Sequence, residues 1–331
     1  MILFWTIFFF LLGLVVLIKG ADIFVDGSAG LARKLRIPDF IIGVTLVAFG
    51  TSLPEFIVSL MAGFSKSGEL VIGNIVGSNI ANIALILGIC GIMKTIRIQS
   101  EMLMKRAIPF MIMSSIILFI LVFDQVFQNH GVTFNRLTMG DGLILLSFFV
   151  IFLLYIFNDL KRNRFLESEI KKKEVYVKES TSKLAFMLLG GLIAVVGGGK
   201  LIVDNTIELA SLLGISQGVI GLTIISIGTS LPEAVTTIVA VRKNKEEMAI
   251  GNIIGSNTLN ILFILGVVAT VAPLELSPVM MIDVLIMIII SIILFLLGYF
   301  HKSLGKYMGM TFIGFYSVYM LFVVIRESVI Q

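Results

Sequence analysis

The sequence predicts an all-α integral membrane protein of ten transmembrane helices, built as two five-helix repeats of inverted topology. Three observations predict it. The 331-residue chain is 58% hydrophobic and 14% charged, with a mean hydropathy of +1.07. That is too apolar for a soluble domain, and the apolar residues fall in stretches of roughly the 20 that a membrane helix needs. A 46-residue block recurs without a gap at an offset of 178. The basic residues concentrate in every second connection.

The first span, 2–29, opens apolar from Met1 to Ile18 with no charge before Lys19. A secretory signal would begin with positive charge and end at a small-residue cleavage site, so this span is read as retained. Spans 38–64, 69–92, 106–124 and 139–157 complete the first half, 1–157. A polar segment, 158–183, runs through Lys171-Lys172-Lys173-Glu174 and reads as a solvated linker. The second half, 184–331, holds spans 184–211, 216–241, 247–271, 279–299 and 304–325; the first of these carries Lys200, Asp204 and Glu208.

Connections 33–36, 94–106, 161–183, 242–245 and 302–306 hold 20 of the 25 Lys and Arg residues. The alternate connections and the C-terminal tail hold Lys66, Arg136 and Arg326, and Lys19 and Lys200 lie within spans. The positive-inside rule then sets the linker in the cytoplasm and both termini outside a cell (plasma) membrane that the chain crosses many times. Placed this way, the net charge of +4 needs no nucleic acid partner. The one cysteine, Cys90, excludes an internal disulfide and sits in apolar surroundings.

The repeat pairs Gly43–Gly88 with Gly221–Gly266, identical at 22 of 46 positions. A unit of five spans is odd, so its second copy enters the membrane from the opposite side. Inverted repeats place a substrate site near the midplane, where the two copies meet.

Each copy buries one glutamate in an apolar span, Glu55 and Glu233, each after a proline, Pro54 and Pro232. A charge at that depth costs about 2.5–3.5 kcal/mol and implies a partner or a wet cavity. Proline breaks the helix ladder and frees backbone oxygen nearby. Ala48, Ser52 and Glu55 share one helical stripe, as do Ser226, Ser230 and Glu233; Thr51 and Thr229 stand one position aside. In the next span Ser78 and Asn82 lie four apart, as do Ser256 and Asn260, with Asn74 and Asn252 a turn earlier. Carboxylate, hydroxyl and amide oxygens without histidine or thiolate suit sodium, calcium or magnesium rather than zinc or copper. Two carboxylates at one cavity repel, and bound cations neutralise them.

Other features read structurally. The pairs Gly73/Gly77 and Gly251/Gly255 are expected to be packing notches. Asp26 and Asp204 recur near span ends and suit a structural role, and Asp22 and Lys200 are simple paired charges. His130 and His301 fall in connections, and no HExxH motif or Ser/His dyad lies within the spans, which argues against an enzyme. No cofactor and no obligate protein partner is expected; the partners are ions and the lipid bilayer.

The duplicated GTSLPE (50–55 and 228–233), with GNIVGSN (73–79) and GNIIGSN (251–257), resembles the calcium/cation antiporter superfamily, most closely its prokaryotic sodium/calcium exchanger branch. The resemblance covers nearly the whole chain. It implies four cation sites at the repeat interface. A central calcium site would use Glu55 and Glu233 with backbone carbonyls near Thr51 and Thr229. Flanking sodium sites would use Ala48, Ser52, Ser78 and Asn82 with Ser226, Ser230, Ser256 and Asn260. Spans one and six would slide across the other eight to alternate access. Some members carry aspartate where this chain has Asn260, including the potassium-dependent branch, so its absence argues against potassium dependence. The alternative, proton/calcium or other divalent cation antiport, fits less well, because the proton-coupled branch carries a different acidic motif.

Overall fold

The computed structural model describes residues 2–35, 37–98, 101–127, 135–170, 179–212, 226–276 and 280–330. In chain order the helices are α1 (Ile2–Leu35), α2 (Asp39–Thr51), α3 (Leu53–Phe64), α4 (Gly68–Met93), α5 (Ile108–Phe127), α6 (Met139–Ile170), α7 (Thr181–Leu212), α8 (Ser226–Thr229), α9 (Leu231–Arg242), α10 (Glu246–Val271), α11 (Met280–His301) and α12 (Lys306–Ile330). Among the described residues eight helices are long and apolar enough to cross a membrane, and a ninth if α2 and α3 form one bent span. Of the expected span 216–241, only α8 and α9 are described. The expected span 184–211 is continuous helix despite its three charges, and α6 runs on past residue 157 into the segment expected to be linker.

The expected span 38–64 is broken. Ser52 leaves helical geometry (φ −83°, ψ 8°) and α3 starts again at a 47° bend, with Pro54 in its first turn. Proline has no N–H for the ladder and its fixed φ suits a helix start, so Pro54 sets both the break and the restart. Ser230 makes the same break between α8 and α9 (φ −85°, ψ 3°), with Pro232 following. Within α4 and α10 the helix widens into π turns at Ala81–Ile86 and Asn260–Leu265. Such turns insert a residue into the ladder and often mark functional positions; here they begin at or beside Asn82 and Asn260.

The most apolar windows of α4 and α10 are 78% and 83% buried, against 22–44% for the other long helices. These two therefore form the centre, and the rest wrap them with one apolar face turned outward. Close backbone approach fixes the packing. A Cβ on Gly255 would lie 2.4 Å from the Val44 carbonyl oxygen, and one on Gly251 2.6 Å from that of Phe40, so this pair is a packing notch for α2. A Cβ on Gly77 would meet no described atom of another element within 4 Å; the equivalent of the α2 segment, 218–222, is outside the described residues.

The helices α1 and α7 run antiparallel along each other through glycines spaced by seven: Gly13, Gly20 and Gly27 on one, Gly191 and Gly198 on the other. Seven residues are nearly two turns, so each series keeps to one face. A Cβ on Gly20 would sit 2.7 Å from that of Ala194, and one on Gly198 2.5 Å from the Leu17 nitrogen.

The all-helical expectation needs one amendment. Two antiparallel strand pairs clip connections together: Ile96–Arg97 (β1) with Ser303–Leu304 (β4), and Asn135–Leu137 (β2) with Leu274–Leu276 (β3). Connections rich in basic residues meet one another. Lys94 pairs with Glu246 at 2.5 Å, Lys245 with Asp39 at 3.2 Å, and Lys243 with Asp26 at 2.8 Å and Asp22 at 3.4 Å. Asp22 is thus a paired charge, with Lys243 as its partner. The Lys94–Glu246 and Lys245–Asp39 pairs border an open vestibule of about 770 Å³, lined also by Arg97 and Glu247. The poorly charged connections meet elsewhere, through an Arg136–Glu275 ion pair.

Candidate cation-binding site

The broken helices and the two central helices converge at one buried polar cluster. Glu55 at the start of α3 is 1% exposed and Glu233 at the start of α9 is fully buried. Thr51, Ser52, Thr229, Ser230, Ser78, Asn82, Ser256 and Asn260 are buried with them. Each carboxylate accepts from the serine three positions before the other, Glu233 from Ser52 and Glu55 from Ser230.

Hydrogen bonds in this cluster cross between residues of the two sequence copies, and they do so in equivalent pairs. Ser52 Oγ donates to Glu233 Oε1 at 2.8 Å, and its equivalent Ser230 Oγ donates to Glu55 Oε1 at 3.3 Å. Thr51 Oγ1 donates to Asn252 Oδ1 and Thr229 Oγ1 to Asn74 Oδ1, both at 3.2 Å. Asn74 in turn donates to Ser59 Oγ, and Asn252 to Thr237 Oγ1, both at 3.0 Å. Within single copies, Ser256 Oγ adds a bond to Glu233 Oε1 at 3.3 Å. Between the copies, the Ser78 and Ser230 hydroxyl oxygens lie 3.0 Å apart.

Four oxygens of the cluster are left over. Glu55 Oε2, Glu233 Oε2, Asn82 Oδ1 and Asn260 Oδ1 are buried and have no hydrogen-bond partner among the described residues; they too are two equivalent pairs. The hydroxyls of Ser28 and Thr236 share that condition elsewhere. An unpaired buried polar atom costs about 1–3 kcal/mol, more when charged. Acceptors alone, two of them carboxylate, cannot satisfy one another. A hard cation, which takes 6–8 oxygens when it is calcium, is the chemical complement of such a set.

Nearly all of the residues expected from the sequence converge here. The Ala48 carbonyl accepts from Ser52 N at 3.0 Å and Thr51 Oγ1 at 3.4 Å. Ser226 opens α8, and its side chain lies outside the described residues. Asp26 stands apart in the Lys243 ion pair. Sequence reasoning overlooked Asn79 and Asn257, which are buried and bridge the two copies; their recurrence at the same 178-residue offset was the available signal.

Comparison with known proteins places this geometry in context. The family model described as sodium/calcium exchanger protein matches residues 5–158 and 183–325. Inner membrane protein YrbG of Escherichia coli (strain K12) is 37% identical over 297 residues, covering 87% of this chain and 86% of its own. Sodium/calcium exchanger MaX1 of Methanosarcina acetivorans is 32% identical over 344 residues, covering 94% and 96%. A solved structure of the sodium–calcium exchanger NCX_Mj, soaked with 10 mM Na+ and zero Ca2+, superposes with a TM-score of 0.82 at 31% identity, covering 96% of this chain and 99% of that one.

Proposed function

The chain belongs to the sodium/calcium exchanger family, and from that premise we propose that it is a multi-pass secondary antiporter exchanging sodium for calcium through the cluster around Glu55 and Glu233. The observation that carries this assignment is the set of four buried acceptor oxygens, in two equivalent pairs, that have no partner among the described residues. Calcium is held at the centre by Glu55 and Glu233, with backbone oxygen near Thr51 and Thr229. Sodium occupies flanking positions that use Ala48, Ser52, Ser78, Asn82, Ser226, Ser230, Ser256 and Asn260. The ions compete because each neutralises the same two carboxylates. Where the exchange moves net charge, each elementary charge is worth about 2.3 kcal/mol per 100 mV, which lets sodium entry drive calcium out.

In this reading the chain forms ten spans in two inverted five-helix repeats, 1–157 and 184–331, joined by a cytoplasmic linker at 158–183, with both termini outside. The 178-residue repeat, the charge alternation and the equivalent hydrogen bonds support it. The helices α1 and α7 are the pair that slides. Reconstituted in proteoliposomes, the protein takes up calcium against an imposed sodium gradient. Glu55→Ala and Glu233→Ala each abolish that uptake; undiminished uptake in both variants defeats the assignment. Uptake driven by a pH gradient in sodium-free buffer would instead favour proton coupling.

A further inference from the structure

An asparagine amide has one end that only accepts and one that only donates. Which end faces a cation decides whether the side chain binds it or repels it. For Asn82 and Asn260 the structure settles the choice through a chain of bonds ending on groups that cannot turn round. Backbone carbonyl oxygens only accept. Asn79 Nδ2 donates to the Asn257 carbonyl oxygen at 3.2 Å, and Asn257 Nδ2 donates to that of Asn79 at 3.1 Å. With their nitrogens committed, both residues turn their side-chain oxygens the other way. Asn79 Oδ1 accepts from Asn260 Nδ2 at 2.9 Å, and Asn257 Oδ1 accepts from Asn82 Nδ2 at 2.9 Å. In Asn82 and Asn260 it is the oxygen that is left without a partner among the described residues, and these are two of the four such acceptors. Rotating either amide would set like ends face to face in a buried network, where a lost bond is most costly.

We propose that Asn79 and Asn257 are positioning residues, which hold Asn82 and Asn260 with their oxygens toward the transported cation and thereby set sodium affinity. The proposal rests on the ion-site assignment above. Neither residue needs to touch the ion. Each half of the chain orients the ligand of the other, since Asn79 acts on Asn260 and Asn257 on Asn82. The lock thus exists only while α4 and α10 are in register.

The test uses the full chain in proteoliposomes. Asn79→Ala is expected to raise the half-saturating sodium concentration about tenfold or more, the loss of one ligand bond to a charge. Calcium–calcium self-exchange, which needs Glu55 and Glu233 but neither amide, should stay within about threefold. The decisive comparison is in the Asn260→Asp background, where a carboxylate presents oxygen whichever way it turns. There Asn79→Ala should shift sodium half-saturation by less than about threefold. An equal loss in both backgrounds, an unchanged sodium dependence, or a parallel loss of self-exchange overturns the proposal. Should Asn79→Ala not purify as a monodisperse protein, Asn257→Ala with Asn82→Asp makes the same comparison in the other half. Failure of the underlying assignment reads out separately, as exchange surviving Glu55→Ala.

Discussion

A buried ion pair holds only while both members are present, because removing one strands the other in a medium that cannot solvate it. Asp283 on α11 and Arg326 on α12 form such a pair at 2.8 Å, with side chains 8% and 14% exposed, and Tyr319 OH donates to the second Asp283 oxygen at 3.2 Å. Asp283→Leu should destabilise the protein by about 3–5 kcal/mol, and Asp283→Leu with Arg326→Met should recover most of that loss. Thermal unfolding in detergent, followed by intrinsic fluorescence, compares the two. The sequence counted Arg326 as a charge on a tail, since hydropathy cannot see a partner 43 residues away. Glu55 and Glu233 were legible because a lone acid in an apolar span is too costly to keep without a use. The orientation of Asn82 and Asn260 was not, since it is settled by a neighbour from the other half.

At the scale of elements the glycines separate two effects. In the middle of a helix, alanine is preferred to glycine by about 1 kcal/mol unless its methyl group meets something. Gly314 on α12 has no described atom within 4 Å of a built Cβ, whereas Gly255 on α10 would meet the Val44 carbonyl at 2.4 Å. Gly314→Ala should therefore raise the melting temperature slightly. Gly255→Ala should lower stability by about 1–3 kcal/mol, as overpacking does, and a thermal scan of both variants checks the opposite signs. The bend at Ser52 was half legible: Pro54 announced a disturbance, but a continuous apolar stretch from 38 to 64 concealed that two helices share it. The seven-residue glycine spacing on α1 and α7 was visible in the sequence and unused, because spacing on one helix carries no information until its facing helix is known.

At the scale of the whole molecule, α1 and α7 interlock with each other while the strand pairs fasten connections from opposite halves. Two cross-links follow from treating α1 and α7 as one sliding body. Thr6 and Glu208, hydrogen-bonded at 2.9 Å, lie across α1 and α7; a reducible bridge between Thr6→Cys and Glu208→Cys should leave exchange intact. Asp26 and Lys243 join α1 to the connection after α9; a bridge between Asp26→Cys and Lys243→Cys should halt calcium flux until it is reduced. The native Cys90 is buried, which favours labelling at the introduced sites. The Lys243 contact has a further consequence, because it has no twin. Where Asp22, Asp26 and Lys243 meet, the equivalent positions of the other copy are Lys200, Asp204 and Ser65. Half-exposed ion pairs are worth up to about 1 kcal/mol, or about fivefold in population. On the sliding motion proposed above, that is too weak to jam the machine and strong enough to tilt it, so the carrier should rest unevenly between its two doorways, a bias that salt on the Lys243 side of the membrane should relax.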